Sequence, residues 1–193
     1  MIQVLVNGQN ILLTTSRRPT KSMRTLCRDL SHTLPNIIRI NRGKLSLEGL
    51  AETALNFNAS KVAVVDRWKG GPGKIEFFIV KHGVLERIPP LVYVRGVKFR
   101  RDFGENMPKG RRIKSLAISA SSKENFEIKR FEGFLSEFLQ IPISSIENAV
   151  GERRDAIMQV LMDHTNHLVV TFRLVPEMVE VGPKITISHL IWE

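Results

Sequence analysis

"ILLTTSRRPTKSMRTLCRDLSHTLP", residues 11–35, decides how the chain is read. An apolar run ends in hydroxyl residues, as a strand does where it enters a turn. A helix begins after Pro19, with Thr20 as its N-cap. Met23, Leu26, Cys27, Leu30 and Leu34 recur at helical spacing and form one apolar face. Pro35 stops the helix at about Leu34. The turn and the first helical residues carry Arg17, Arg18, Lys21 and Arg24, and Lys21, Arg24 and Arg28 make a stripe on another face. A helix start already holds about half a positive charge, so carboxylates belong there. From Ile11 onward, none occurs before Asp29.

The remainder of the first half alternates in the same way. "NIIRI" reads as a short strand. Leu47, Leu50, Ala51, Ala54 and Leu55 make the apolar face of a second helix. "KVAVVD" is a buried strand, "RWKGGPG" a loop and "KIEFFIV" the next strand. "PPLVYVRGVKF" adds a strand that its prolines assign to a sheet edge. Residues 101–113 are polar, with Gly and Pro, and read as a linker between a first half, 1–100, and a second, 114–193.

The second half repeats the first in kind. "SLAISASSKENFEIKRFEGFLSEFLQIP" (Ser115 to Pro142) is again a strand, a Ser-rich turn, an amphipathic helix and a Pro exit, with Ile128, Phe131, Leu135, Phe138 and Leu139 on the apolar face. "IMQVLMDHTNHLVVTFRLV" matches "VAVVDRWKGGPGKIEFFIV". Asp66 corresponds to Asp163 and Phe77 to Phe172, at offsets close to half the chain. Strands alternating with helices in each half predict an α/β fold with an internal duplication.

The chain has 193 residues and a formal charge of +10, with 42% hydrophobic and 25% charged residues. Those proportions are ordinary for a globular protein with a real core. No apolar run is long enough to span a membrane, and the N-terminus lacks the basic-then-apolar pattern of a signal peptide. Lone Cys27 falls on an apolar helix face, where a buried, unreactive thiol is expected; a reducing, cytoplasmic setting fits it. The charge is uneven. Residues 1–112 hold 21 Lys and Arg against 8 Asp and Glu, and residues 113–193 hold 8 against 11. A local excess of this kind points to a polyanion partner for the first half.

The repeat provides an internal control. Where the second half starts its helix it has Ser121, Ser122, Glu124 and Glu127; the first half has Arg17, Arg18, Lys21 and Arg24. The fold itself therefore does not require cations there. A bound anion would relieve their repulsion from the helix dipole and take hydrogen bonds from the free N–H groups. A nucleic-acid phosphate backbone fits that role; pairing with Glu48, Glu52 or Asp66 is the competing reading. Arg39, Arg42 and Lys44 in "RINRGK" form a second cluster beyond a strand end, either a contact or a solvated turn. Trp68, between Arg67 and Lys69 and near Lys74, either stacks on an unpaired base or anchors its own loop.

Other chemistry finds little support. The segment around Gly73 fails the phosphate-loop pattern, because Trp68 stands where a Gly is needed and Ile75 follows Lys74. His164 and His167 in "DHTNH" lack further ligands at metal-binding spacing, so a hairpin loop is expected. Ser16 has no nucleophile-elbow context. No constellation argues for catalysis or for a cofactor.

Taken in order, four motifs resemble the Brix-domain ribosome-biogenesis proteins. They are "LLTTSRRPTKSM" with Arg17 and Pro19, "INRGK" with Asn41, Arg42 and Gly43, "HLVVTFR" with Arg173, and "EVGPKITISHLIW" with Gly182 and Pro183. The resemblance runs from Leu12 to about Ile191 and is nearest to the small-subunit branch in a minimal archaeal form. It implies two halves, each like the anticodon-binding domain of class II aminoacyl-tRNA synthetases. It also implies a non-enzymatic role in ribosomal RNA processing and subunit assembly. The implied partners are ribosomal RNA or its precursor, a guide RNA and assembly proteins, in the cytoplasm or, in a eukaryote, the nucleolus. Lys184 replaces the family's usual Arg, which weakens bidentate phosphate binding at that point.

Overall fold

The computed structural model describes residues 10–104, 113–121 and 125–193. In the first half the elements are β1 (Asn10–Thr15), α1 (Lys21–Thr33), β2 (Ile37–Arg39), α2 (Leu47–Asn56), β3 (Ala59–Trp68), β4 (Gly71–Lys81) and β5 (Val84–Lys98). The second half has β6 (Leu116–Ser119), α3 (Phe126–Leu139), β7 (Ile143–Ser144), α4 (Ile146–Gly151), β8 (Ala156–Met162), β9 (Leu168–Leu174) and β10 (Lys184–Ile191). All ten strands form one mixed sheet in the order β2-β1-β3-β4-β5-β10-β9-β8-β6-β7.

Local chemistry sets the first helix as the sequence predicts. The Thr20 hydroxyl accepts from the Met23 N–H at 3.3 Å, and Leu34 is the C-cap just before Pro35. Met23, Leu26, Cys27, Leu30 and Leu34 are all buried. The α3 face of Ile128, Phe131, Leu135, Phe138 and Leu139 is buried as well. Each of these large apolar side chains contributes about 1.5–3 kcal/mol on leaving water.

Pairing runs in the same pattern through each half. β1 lies parallel to β2 and β3, and β6 lies parallel to β7 and β8. β3, β4 and β5 follow antiparallel, as do β8, β9 and β10. The halves join where β5 and β10 pair antiparallel, from Lys98 beside Lys184 to Leu91 beside Ile191. Helices α1 and α3 share one face of the sheet, and their side chains merge into a single core. On the opposite face α2 covers Leu12, Val62, Val64 and Phe78, and α4 covers Ala117 and Ile157.

Each half also reaches into the other. Phe77 of β4 meets Phe134 and Phe138 of α3, with ring centroids 4.8 Å apart in both cases. The Lys61 ammonium donates to the Glu137 and Phe138 carbonyls at the end of α3, at 2.6 and 3.1 Å. Thr33, late in α1, lies 3.0 Å from the Gly182 carbonyl, and the Arg100 guanidinium donates to its hydroxyl at 2.9 Å. Gly182 has φ +57, and a Cβ there would run into the Phe103 ring, so the turn before β10 requires glycine.

Three expectations need correction. Leu47 and Leu55 are exposed, at 47% and 38%; α2 buries only Leu50, Ala51 and Ala54. "RWKGGPG" is not a loop. β3 runs on to Trp68, β4 starts at Gly71, and Lys69 and Gly70 make a two-residue turn with positive φ at both positions, the geometry that suits strand twist. β5 is not an edge strand. Pro89 and Pro90 sit where its register with β4 shifts, which spares the ladder their missing N–H groups, and the strand then continues at the centre of the sheet. A 3-10 turn, Arg100–Phe103, opens into the expected linker at 101–113, of which residues 105–112 lie outside the described residues.

Candidate nucleic-acid interface

Parallel pairing of β1 with β2 sets Leu13 beside Arg39. The loops that leave the carboxyl ends of these two strands therefore meet, although 20 or more residues separate them in sequence. In open α/β sheets such strand ends are where ligands collect. Arg18 and Pro19 from the loop after β1, Arg24 from the first turn of α1, Arg39 at the end of β2, and Asn41, Arg42 and Gly43 from the loop after it line a cleft of about 400 Å³, with Thr15, Cys27 and Ile40 also lining it.

Backbone carbonyls hold these loops together. Leu45 O accepts from the Arg42 guanidinium at 2.9 Å and from Arg17 at 3.4 Å. Ile40 O accepts from the Thr14 hydroxyl at 3.1 Å. Arg67, near the end of β3, donates to the Arg18 carbonyl at 2.7 Å, and Arg24 donates to Pro19 O at 3.2 Å. Arg42 is buried, and burial together with the charge of Arg17 lowers its proton affinity. A buried cation beside another cation is costly unless an anion joins them.

Among the described residues, no carboxylate lies within ion-pair distance of Arg17, Arg18, Lys21, Arg24, Arg39, Arg42, Lys44, Arg67 or Lys69. Two of the competing partners, Asp66 and Glu48, are engaged otherwise. Burial alone would raise the Asp66 carboxyl, yet hydrogen bonds from Ser16, the Arg67 N–H and Lys74 hold it below its ordinary value. Glu48 is held low by the Ser46 hydroxyl and its own helix-start N–H, with a smaller contribution from the charge of Arg17.

Not every predicted residue joins the cluster. Lys74 is bound between Asp66 and Glu76, at 3.3 and 3.4 Å. Arg28 lies 3.8 Å from Asp29. Arg173 sits in β9, separated from β1 by four intervening strands. Trp68 is 49% exposed and meets Tyr93 edge-on at 5.4 Å. Arg95, in β5, was not singled out by sequence reading. Its cationic side chain stands near Trp68 across a second cleft, and an Arg directly after the apolar run Leu91–Val94 was its one signal.

The second half has a matching cleft at the carboxyl ends of β6 and β7, about 470 Å³. Ser119, Ser121, Ser145, Glu147 and Gln159 are among the residues that line it, and among the described residues none of the lining is Lys or Arg. Of the residues used as the internal control, Ser122 and Glu124 lie outside the described residues; Glu127 occupies the first turn of α3. "DHTNH" is a hairpin turn in which the Asp163 carboxylate accepts from the N–H groups of Thr165 and His167 and from the Thr165 hydroxyl. These bonds, that of His167 foremost, hold the Asp163 carboxyl down to about 2. Among the described residues no His, Cys, Asp and Glu group is placed to hold a metal, and no helix is long and apolar enough to cross a membrane.

Cys27 donates to Thr14 O at 3.6 Å beneath the arginine cleft, and burial pushes its thiol up to about 12. The thiolate is the reactive form. At about pH 8 the folded protein is therefore expected to resist a thiol reagent that modifies Cys27 at once in denaturant. Equal modification rates in the two conditions would contradict this burial.

No protein-family model matches the chain. A probable Brix domain-containing ribosomal biogenesis protein from Pyrococcus horikoshii is 27% identical, over 95% of this chain and 85% of the relative. A protein of the same description from Methanopyrus kandleri is 29% identical over 90% of each. Among solved structures, a probable ribosomal biogenesis protein from Aeropyrum pernix superposes with a TM-score of 0.77 at 25% identity, covering 94% of this chain and 98% of that one. An archaeal Imp4-like protein superposes at 0.66 and 22% identity, covering 94% and 99%, a likeness of fold. Similarity carried along nearly the whole of both partners, on a shared mixed α/β sheet, makes the chain similar to the Brix domain-containing ribosomal biogenesis proteins.

Proposed function

We propose that this protein is an RNA-binding ribosome biogenesis factor that grips the RNA backbone with its basic first half and acts in precursor ribosomal RNA processing and subunit assembly. The observation that carries the proposal is the arginine cleft. Arg18 and Arg24 from the turn and first helical turn after β1, and Arg39 and Arg42 from the end of β2 and the loop beyond it, converge without carboxylate partners among the described residues. Among the described residues, the matching cleft of the second half is lined by no Lys or Arg. Phosphate contacts of this kind set position and affinity, not sequence.

On this reading the protein is an assembly factor and not an enzyme, it works in the cytoplasm, and its partners are ribosomal RNA and other assembly proteins. A role in the small-subunit branch, with a guide RNA, belongs to the same proposal. The equal connectivity of the halves supports an internal duplication, each half being of the anticodon-binding-domain kind. Ribosomal RNA affinity is expected to fall with salt. For about five phosphate contacts to a single strand, the slope of log affinity against log salt is roughly −3.5. A flat response would refute the phosphate grip.

A second reading, a protein-interaction adaptor whose RNA contact is incidental, has one observation in its favour. Phe126, Ile143, Val150 and Leu161 of the second half are exposed. Capture of a purified assembly protein at high salt, with no RNA affinity at low salt, would favour it.

A further inference from the structure

The β3–β4 hairpin and β5 part company near the hairpin tip. Their pairing ends with Lys74 beside Tyr93, while β5 continues to Lys98 along β10. The gap beyond is a cleft of about 590 Å³. Trp68, Lys69, Pro72 and Arg95 line it, together with Ser22 from the first turn of α1.

Trp68 is placed there by the backbone. The turn residues Lys69 and Gly70 both have positive φ and close the hairpin tightly. Gly71 stands opposite Trp68 in the ladder, and a Cβ on Gly73 would run into the Trp68 Cβ and carbonyl. With glycine at both places, no side chain covers the indole from the facing strand. Among the described residues its one aromatic neighbour is Tyr93, nearly perpendicular to it, and Tyr93 in turn stacks on His189 at 4.4 Å. Packing on Tyr93 explains how the tip is anchored. It does not explain why half of a large apolar ring is left in water between two cations, at the rim of a cleft.

We propose that this cleft takes an unpaired nucleobase of the bound RNA, stacked on Trp68, with Lys69 and Arg95 facing the adjoining phosphates. The inference rests on the RNA-binding reading above and deepens it: the preferred ligand is single-stranded. Every base has a flat π-face, so stacking fits any sequence, whereas a duplex offers no free face. Charge complementarity favours RNA over an apolar peptide. Position agrees as well, because Arg67, next to Trp68, donates to the carbonyl of Arg18 in the arginine cleft. One strand can thus run from one cleft to the other.

The test uses the full chain, a short oligouridylate and a blunt RNA duplex of equal charge. Trp68→Ala is expected to weaken oligouridylate binding roughly ten- to hundredfold and to leave duplex binding unchanged; Trp68→Phe should lose less. An unchanged oligouridylate affinity, or an equal loss for both RNAs, overturns the proposal. Should the alanine variant not fold, Trp68 is read directly in a Trp192→Phe chain. Quenching of its emission by oligouridylate supports stacking, and unaltered emission during binding overturns it. A wild-type chain that binds neither RNA defeats both this inference and the RNA reading. A steep salt slope with no effect at Trp68 defeats the stacking alone.

Discussion

Reversing the charge of Arg18, Arg24 and Arg39 together is expected to lower ribosomal RNA affinity by about 10³-fold, taking roughly 1.5 kcal/mol for each charge-assisted contact. The three side chains line one cleft but come from the loop after β1, the first turn of α1 and the end of β2. None of them is buried, so the fold survives the change. Arg24→Glu by itself puts an anion near the positive end of α1, whose first turn has no acid, and adds about 0.3–1 kcal/mol of stability. The variant therefore melts close to the wild type while losing RNA. The mirror experiment is Glu127→Lys in the first turn of α3. It is expected to lower the melting temperature slightly and leave RNA affinity within about twofold. Binding by gel shift or anisotropy and melting by circular dichroism read both effects. Equal losses of RNA affinity in the two variants would show that the cleft has no special part.

Phe138→Ala is expected to unfold the molecule more readily than any surface change. Phe138 is buried in the core shared by both halves, touches Phe77 across the junction and lies under the Lys61 ammonium at 5.6 Å. The same core already encloses an apolar void of about 80 Å³ that Phe138 helps to line. Truncation enlarges that void, at a cost of about 3–5 kcal/mol. For a chain of this length the melting temperature falls by about 6–20 °C. Because α3 packs on β4 of the other half, loss of signal from the two halves should coincide in one transition. Two separate transitions would show that each half stands alone.

Much of this architecture was legible in the sequence where local physics decides. The Thr20 cap, the face from Met23 to Leu34 and the stop at Pro35 depend on neighbours within one or two turns. Other features depend on partners far along the chain. "RWKGGPG" reads as a loop because Gly and Pro usually mark one, yet the ladder to Gly71 and Pro72 extends both strands. Pro89 and Pro90 point to an edge by their missing donors, but a register shift accommodates them at the centre. Leu47 and Leu55 fit a helical face, but a helix as short as α2 buries only its middle. Within the candidate site, each arginine cluster was visible alone. Their meeting was not, since it follows from parallel pairing between β1 and β2. Arg95 was overlooked because only the splayed hairpin gives it a role.

The pairing of β5 with β10 also has a consequence for how the molecule comes into being. The strand completing the middle of the sheet, β10, is the last of the described strands in sequence order, and its partner, β5, is made some 90 residues earlier. Contacts of such long range are slow to form and come late in folding. The apolar edges of both halves thus stay open during synthesis, until β10 leaves the ribosome and zips them together.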